Sequence, residues 1–297
     1  MKIDIGEVIG RSWQISWKNK SLWIIGAVMV LGGFLFLPVA FVPMIADIAN
    51  ESLDDGLIML LFFGIGSIAL MLIYPIEVLL DVALTLGILR ADRAEERRSF
   101  TELIRESYAF FWRCLGVTTL FVGGMFLFYL AVFAVMMLLS FLTFGLGMMC
   151  MWPLTFLQYP LMLVWYVCMQ QALTAVIVDD MTVMDATKHS WQLFRNNIFL
   201  YVIVGLVFYL GVSTLSSFIM MPFMFPFFFL PMAMMESAEF GSILLILGGF
   251  FAVALFPFFC LFQGGLTTLM KSGWAITYLR LSRSSNIPLL TPQEVPA

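Results

Sequence analysis

Residues 182–221 read TVMDATKHSWQLFRNNIFLYVIVGLVFYLGVSTLSSFIMM and combine a helix start, an amphipathic helix and an apolar span. Thr182 is a helix-capping residue type, and Asp185 follows it at the spacing of a capping box. The polar residues of the helix that begins there recur along one face: Asp185, Lys188, Gln192 and Arg195. From residue 198 to about residue 221 the chain is apolar over the ~20 residues that cross ~30 Å of hydrocarbon. The stretch therefore predicts a short amphipathic helix followed by a transmembrane helix.

The composition of the whole chain supports the same class of protein. Of 297 residues, 62% are hydrophobic and only 11% are charged, and the mean hydropathy is +1.01. Soluble domains carry about 25% charged residues, so a water-exposed surface cannot be built from this sequence. The composition also excludes collagen-like, disordered, disulfide-stapled and nucleic-acid-binding classes. We expect a polytopic membrane protein with no nucleic-acid partner.

Apolar stretches predict six transmembrane helices, at about 21–46, 57–76, 115–144, 146–169, 198–221 and 240–262. The second is expected to continue to residue 90 as one long helix with a bend near Pro75. Proline disrupts helix interiors, so Pro222, Pro226 and Pro231 predict an irregular outer connection after Met221.

Charge gives the orientation. All fifteen Lys and Arg residues lie within 1–20, 90–113, 188–195 and 271–283, which six helices place on one side of the membrane. The loops at 47–56, 142–148 and 236–239 contain no Lys or Arg, and the first and third of them contain acidic residues. Because basic residues stay in the cytoplasm, we expect a multi-pass protein of a bacterial inner membrane with both termini cytoplasmic.

The sequence contains a threefold internal repeat. Three capping pairs, Asp4/Glu7, Ser99/Glu102 and Thr182/Asp185, are each followed by a serine and an aromatic residue, at Ser12-Trp13, Ser107-Tyr108 and Ser190-Trp191. Later in each unit the pattern polar-x-small-Leu-Thr recurs, beginning at Asp81, Gln170 and Gln263. Two spans per unit give all three units the same orientation.

These patterns predict an all-α fold: a bundle of six transmembrane helices built from three two-helix repeats, each preceded by an amphipathic helix in the membrane interface. The single transmembrane domain covers 1–281, with repeats at about 1–95, 96–181 and 182–281. A polar, disordered cytoplasmic tail is expected over 282–297.

The run from Val176 to Asn197 resembles the membrane domain of the glycerophosphoryl diester phosphodiesterase type and its stand-alone bacterial relatives. The matching residues are Asp179-Asp180, Asp185-Ala186, Lys188, Ser190-Trp191 and Arg195-Asn196-Asn197, and 4–23 and 90–115 are similar to the earlier repeats of such proteins. The resemblance implies a polytopic membrane module, sometimes fused to a soluble phosphodiesterase. We expect no such catalytic domain here, and therefore none of its activity.

Two sets of polar residues are candidate sites. Ionisable groups within a bilayer usually face protein or water and mark function, so Glu77, Asp81, Gln170 and Gln263 are a candidate polar vestibule. An alternative is an interhelical hydrogen-bond cluster that only packs the helices. Basic residues near anionic lipid make Arg90, Arg93, Arg97 and Arg98 candidate head-group contacts.

Catalytic and metal chemistry have little support in the sequence. His189 is the only histidine, no nucleotide-binding or zinc-protease motif is present, and Cys114, Cys150, Cys168 and Cys260 are isolated. We expect no enzyme, cofactor or metal. The expected function is a non-catalytic membrane module that binds lipid or scaffolds a protein partner or a second copy. The alternative is a permease or channel for a small polar solute or a lipid head group.

Overall fold

The computed structural model describes residues 5–34, 55–93, 99–144, 146–236 and 238–284. Side chains are described in these ranges except at 55–59, 62, 146–155, 157, 222–236, 238–249, 251–253 and 283–284. The described chain is all α-helix, in eight helices: α1 (Ile5–Lys18), α2 (Lys20–Phe34), α3 (Asp55–Asp92), α4 (Phe100–Leu142), α5 (Leu146–Asp179), α6 (Val183–Asn196), α7 (Ile198–Glu236) and α8 (Ala238–Ser284).

Four stretches of the described helices are long and apolar enough to cross a membrane: Phe63–Asp92, Phe100–Leu142, Gln158–Asp179 and Ile198–Met221. They confirm the prediction of a helical chain with several apolar spans. The other two predicted spans, 21–46 and 240–262, fall partly outside the described residues and side chains, so the count of six remains a prediction. The predicted tail lies outside the described residues from residue 285 onward.

Two of the three predicted helix starts lie in the described chain, and both are confirmed. The Ser99 hydroxyl accepts a hydrogen bond from the Glu102 N–H at 3.4 Å, and the Ser99 N–H donates to Glu102 Oε2 at 3.1 Å. Thr182 accepts from the Asp185 N–H at 3.3 Å, and its hydroxyl donates to the Asp185 carboxylate. The third predicted cap, Asp4, lies outside the described residues.

The amphipathic helices do not form three separate elements, and this corrects the prediction. A break at Asn19 separates α1 from α2, and one at Asn197 separates α6 from α7, whereas α4 runs unbroken from its amphipathic start into its span. Both asparagine side chains donate to the carbonyl four residues earlier, at 3.0 Å and 3.1 Å, a local bond that competes with the helix. The equivalent position, seven residues after the repeat serine, is Cys114 in α4, which offers no such bond.

Proline does not end α7 where predicted. The helix continues past Met221 to Glu236, through Pro222, Pro226 and Pro231. Proline removes one donor per site, and helices at membrane depth tolerate this when local adjustment satisfies the freed carbonyl groups. Pro75 likewise lies inside α3, which confirms one long helix there.

The first helix packs along the last one in the opposite direction. Arg280 pairs with Glu7 at 2.6 Å, the Ser272 hydroxyl donates to the Ser12 carbonyl at 3.3 Å, and the Ser16 hydroxyl donates to the Gly265 carbonyl at 3.3 Å. As the residue number rises along α1, the number of its partner on α8 falls, so the two helices are antiparallel. The helix that was predicted to lie in the interface therefore packs antiparallel to α8, and polar atoms of α8 contact its inward face. Its placement in the membrane interface stays a prediction.

The buried core lies between the ends of the helices that carry the basic residues, here called the basic end. Its largest fully buried side chains include Trp274, Tyr278 and Tyr201, and α3, α5 and α8 each contribute an unbroken buried stretch: 82–89, 171–177 and 271–279. The opposite halves of α3 and α4 expose large apolar side chains, and so does α7 between Ile198 and Met221. Such surfaces suit contact with lipid, while the packed half positions the polar groups of the candidate site.

Candidate functional site

Two of the four predicted vestibule residues meet at a lysine that the sequence analysis did not single out. Lys271 Nζ forms an ion pair with the Asp81 carboxylate and donates to Gln170 Oε1 at 3.1 Å. The exposed fraction of the side chain is 7% for Lys271 and 16% for Asp81, and Gln170 is 5% exposed. We call Lys271, Asp81 and Gln170 the ion cluster; it joins α8, α3 and α5.

The ion cluster lies at the same distance from the basic end on all three helices. Each member precedes a charged residue of its own helix by nine positions: 81 to Arg90, 170 to Asp179 and 271 to Arg280. At 1.5 Å per residue this is about 13 Å of helix. Charged side chains at that depth require a partner of opposite charge. Asp81 and Lys271 are such partners for each other.

The other two vestibule residues lie apart from the ion cluster. Gln263 exchanges hydrogen bonds with Ser216 of α7, at 3.1 Å and 2.9 Å. Glu77 faces α2, where a methyl group added at Gly32 would lie 3.7 Å from Glu77 Oε1. No described residue forms an ion pair with Glu77.

The polar-x-small-Leu-Thr segments have matching local geometry. The hydroxyl of each threonine donates to the carbonyl of the polar residue four positions earlier: Thr85 to Asp81 at 2.9 Å, Thr174 to Gln170 at 2.8 Å and Thr267 to Gln263 at 2.9 Å. The leucine before each threonine is buried.

The serine–aromatic pairs also share one arrangement. Ser12, Ser107 and Ser190 are fully buried, and each hydroxyl donates to a carbonyl of the preceding helical turn. The neighbouring aromatic side chains point outward, with Trp13 51%, Tyr108 64% and Trp191 53% exposed.

The predicted head-group arginines have different surroundings. Arg90 pairs with Glu106 of α4 and is partly buried, while Arg93 is exposed. Arg97 and Arg98 lie outside the described residues. Arg90 therefore has a protein partner that competes with lipid.

Exposed basic residues do lie beside the exposed aromatic side chains. Lys20 follows Trp17 by three positions, Arg105 precedes Tyr108 by three, and Trp191 lies between Lys188 and Arg195, three and four positions away. Residues three or four apart share a helix face, as Arg105 and Tyr108 do on α4 and Lys188, Trp191 and Arg195 do on α6, whereas Trp17 and Lys20 flank the break between α1 and α2. Within the described chain these cations form no ion pair. The three aromatic–basic groups, on α1–α2, α4 and α6, are here called the rim.

Polar groups continue from the ion cluster toward the basic end along one stripe of α8. Lys271, Trp274 and Tyr278 have the spacing i, i+3, i+7, and all are buried. Gln171 Nε2 donates to the Trp274 carbonyl at 3.3 Å, and the Tyr278 hydroxyl donates to Asp179 of α5. The ring of His189, on α6, lies edge-on to Tyr278 with centroids 6.1 Å apart. Burial lowers the pKa of His189 below its usual value, and the Asp179 carboxylate opposes this shift.

Sequence reasoning missed Lys271 because it was counted only among the basic residues of the cytoplasmic side. A signal was present: its neighbours, Thr268 to Ile276, contain no other charge. A lone lysine in an apolar helix indicates a buried partner.

Three comparisons with known proteins, against family models, curated proteins and solved structures, gave no match for this chain. Among the described residues no group of three His, Cys, Asp or Glu side chains is placed to hold a metal ion. Cys114, Cys168 and Cys260 are buried free thiols.

Proposed function

We propose that this chain is a non-catalytic, multi-pass membrane protein whose rim binds anionic lipid head groups on the cytoplasmic side. The observation that carries the proposal is the rim itself. Trp and Tyr favour the level of the head groups, and each Lys or Arg near an anionic surface contributes about 1 kcal/mol of attraction. The described rim cations have no protein carboxylate to neutralise them, so a phosphate group is their natural partner.

The finer architecture belongs to the same proposal: six transmembrane helices in three parallel two-helix repeats, with the rim at the cytoplasmic ends. The matched serine and threonine hydrogen bonds in the three segments support it. A threefold arrangement would distribute the three rim groups around the perimeter, where lipid surrounds them.

The test is lipid retention. The protein is reconstituted with equal amounts of phosphatidylglycerol and phosphatidylethanolamine, extracted in mild detergent and examined by native mass spectrometry. We expect the wild type to retain phosphatidylglycerol preferentially. The variant K20Q/R105Q/K188Q/R195Q should lose that preference, by about fivefold in affinity for each cation removed, since about 1 kcal/mol is lost with each cation and 1.4 kcal/mol corresponds to tenfold.

The matched control is K20R/R105K/K188R/R195K, which retains every charge. It should bind phosphatidylglycerol as the wild type does. An unchanged lipid preference in the neutral variant would contradict head-group binding at the rim. A protein copurifying in place of lipid, and lost in the neutral variant, would instead indicate a scaffolding role.

The second candidate function is a permease or channel, and the ion cluster favours it. Buried ionisable groups at membrane depth commonly line solute or ion paths, and this cluster joins three helices drawn from all three proposed repeats. Proteoliposomes tested with Rb⁺, chloride and glycine would report flux of a cation, an anion and a zwitterion. Flux that is lost in D81L/K271M while phosphatidylglycerol retention persists would separate this function from the first.

A further inference from the structure

A groove with an empty volume of about 230 Å³ lies between α4 and α5, in the part of these helices away from the basic end. It is lined by Met125, Phe128, Tyr129, Gln158, Leu161, Met162 and Trp165. Phe128, Leu161 and Met162 are exposed, so the groove is open on one side. The chain from Cys114 to Val178 contains no charged residue. Pockets that enclose a drug-sized ligand measure ~300–1,000 Å³, so this groove fits only part of a ligand, and that part must be uncharged.

The end of the groove nearer the basic end is held rigidly. The Trp165 indole N–H donates to the Phe121 carbonyl at 2.9 Å, and the two rings are edge-on with centroids 5.7 Å apart. Gly124 makes room for the indole, because a methyl group there would lie 2.9 Å from it. Next to Trp165 the groove is lined by Met125 and Met162, and methionine adapts to irregular apolar shapes. The groove therefore has a fixed apolar end with adaptable walls.

The other end of the groove is polar. Gln158 of α5 and Tyr129 of α4 both line it, and they are the lining residues farthest from the basic end on their own helices. Neither the Gln158 amide nor the Tyr129 hydroxyl has a hydrogen-bond partner among the described residues. Polar groups without a partner are unfavourable in an apolar surrounding. Two donors therefore lie at one end of an apolar groove, and both are free to bind the same acceptor.

The depth of this polar end corresponds to the outer boundary of the hydrocarbon. The ion pair between Arg113 and Asp180 joins α4 to the end of α5 on the basic side. Tyr129 lies 16 residues after Arg113, and Gln158 lies 22 residues before Asp180, or about 24 Å and 33 Å of helix. The hydrocarbon is ~30 Å thick. With the ion pair at its inner boundary, the two donors lie at the level where lipid ester groups meet the hydrocarbon of the opposite leaflet.

We propose that this groove binds one acyl chain of a phospholipid in the leaflet opposite the basic end. The chain lies against Met125, Met162 and Trp165, and its ester carbonyl accepts hydrogen bonds from Gln158 Nε2 and the Tyr129 hydroxyl. Because no charged residue is near, the site does not select the head group, which distinguishes it from the rim. The inference rests on the proposed membrane crossing of α4 and α5, but not on lipid binding at the rim.

The test is photochemical labelling in nanodiscs of phosphatidylcholine that contain a trace of phosphatidylcholine with a diazirine in its acyl chain. Mass spectrometry of peptides locates the side chains that the chain touches. We expect Met125 and Met162 to be labelled more than Phe126, which is 65% exposed on the same helix and reports lipid outside the groove. An ether-linked probe with the same head group lacks the carbonyl oxygen. It should label the two methionines less, by about threefold for each lost hydrogen bond.

Three variants test the parts of the site, and thermal unfolding confirms that each is folded. Y129F/Q158L removes both donors and should be labelled equally by the ester and ether probes. Y159F is the matched control: it removes a hydroxyl group next to Gln158, from a side chain that is 62% exposed and outside the groove. It should keep the wild-type ratio of ester to ether labelling. L161W fills the groove and should lower the labelling of Met125 to the level of Phe126.

Equal labelling of Met125, Met162 and Phe126 in the wild type would overturn the proposal, and so would equal labelling by the ester and ether probes. Methionine labelling that falls when a disc holds two copies would also overturn it, because a second copy would then cover the groove. If even Phe126 is unlabelled, α4 does not cross the membrane, and the proposed function fails as well. The probes carry no net charge, so none of these results depends on phosphatidylglycerol retention at the rim.

Discussion

Lys271 is a buried charged side chain whose only hydrogen-bonding partners among the described residues are Asp81 and Gln170. Removing one member of a buried ion pair leaves the other charge uncompensated, which typically costs about 3–5 kcal/mol, whereas replacing both with apolar residues is often neutral or stabilising. The structure therefore predicts an asymmetric mutant series.

We expect K271M to lower the free energy of unfolding by about 3–5 kcal/mol and D81L/K271M to recover most of that loss, measured by thermal unfolding in one detergent. The Q170L variant is the matched control, because it removes a neutral partner from the same ammonium group and should cost less. A double variant destabilised by the sum of its single changes would show that the pair is not coupled.

His189 gives a pH dependence with a defined sign. Its pKa is lowered in the folded protein, so the unfolded chain binds a proton at a higher pH than the folded chain. Stability is then fully present above the unfolded value of about 6.5 and declines as the pH falls through it. Unfolding temperatures measured across that window should fall in the wild type. The fall should be smaller in H189F, which keeps an aromatic ring against Tyr278. An equal fall in both proteins would assign the effect to other groups.

At the scale of elements, local sequence predicted helix starts better than helix ends. The caps at Ser99 and Thr182 follow from hydrogen bonds within four residues, so the sequence contains all the information required. The sequence also shows an asparagine at the same position of two repeats, Asn19 and Asn197, where the helices break. That this asparagine matters is clear only by comparison with α4, which has Cys114 at the same position and does not break. The three prolines of α7 do not end the helix, although local rules predict that proline would end it.

The contact between α2 and α8 rests on two glycines. A methyl group at Gly264 would lie 2.4 Å from Ala27 N and Trp23 O, and one at Gly26 would lie 2.4 Å from the Gly264 carbonyl. All of these are backbone atoms, which cannot rotate away. Small residues allow such close backbone approach between membrane helices.

We expect G264A to reduce stability by about 1–3 kcal/mol, because the two helices must separate. The matched control is G123A in α4, where an added methyl group meets nothing within 4 Å. Without a clash, alanine should be neutral or gain up to about 1 kcal/mol from its helix propensity. Thermal unfolding of the two variants side by side measures the difference, and equal stability would show that α2 and α8 are not held at this distance.

At the scale of the whole molecule, the sequence located the polar positions but not their partners. Asp81, Gln170 and Gln263 were expected together because they share a repeat position. In the structure Lys271 contacts both Asp81 and Gln170, whereas Gln263 forms hydrogen bonds with Ser216. A shared repeat position predicts a similar place along the helix, while the partner of a side chain depends on which side chains from other helices reach the same point. Lys271 has no counterpart in the other two segments, where Leu89 and Val178 occupy its place, so symmetry alone could not predict it.

The proposed orientation of the chain rests on the distribution of its charges, and α4 provides the sharpest test. Arg105 and Phe144 are exposed near opposite ends of this helix, roughly 58 Å apart at 1.5 Å per residue, which exceeds ~30 Å of hydrocarbon. A membrane-impermeant maleimide applied to intact cells should label F144C and should label R105C only after lysis, with the wild type, which has four cysteines, as background. K188C, from the third repeat, should behave like R105C because parallel repeats place all basic segments on one side. Labelling of K188C from outside, with R105C protected, would mean that one repeat is inverted, and the rim could not then lie on a single membrane face.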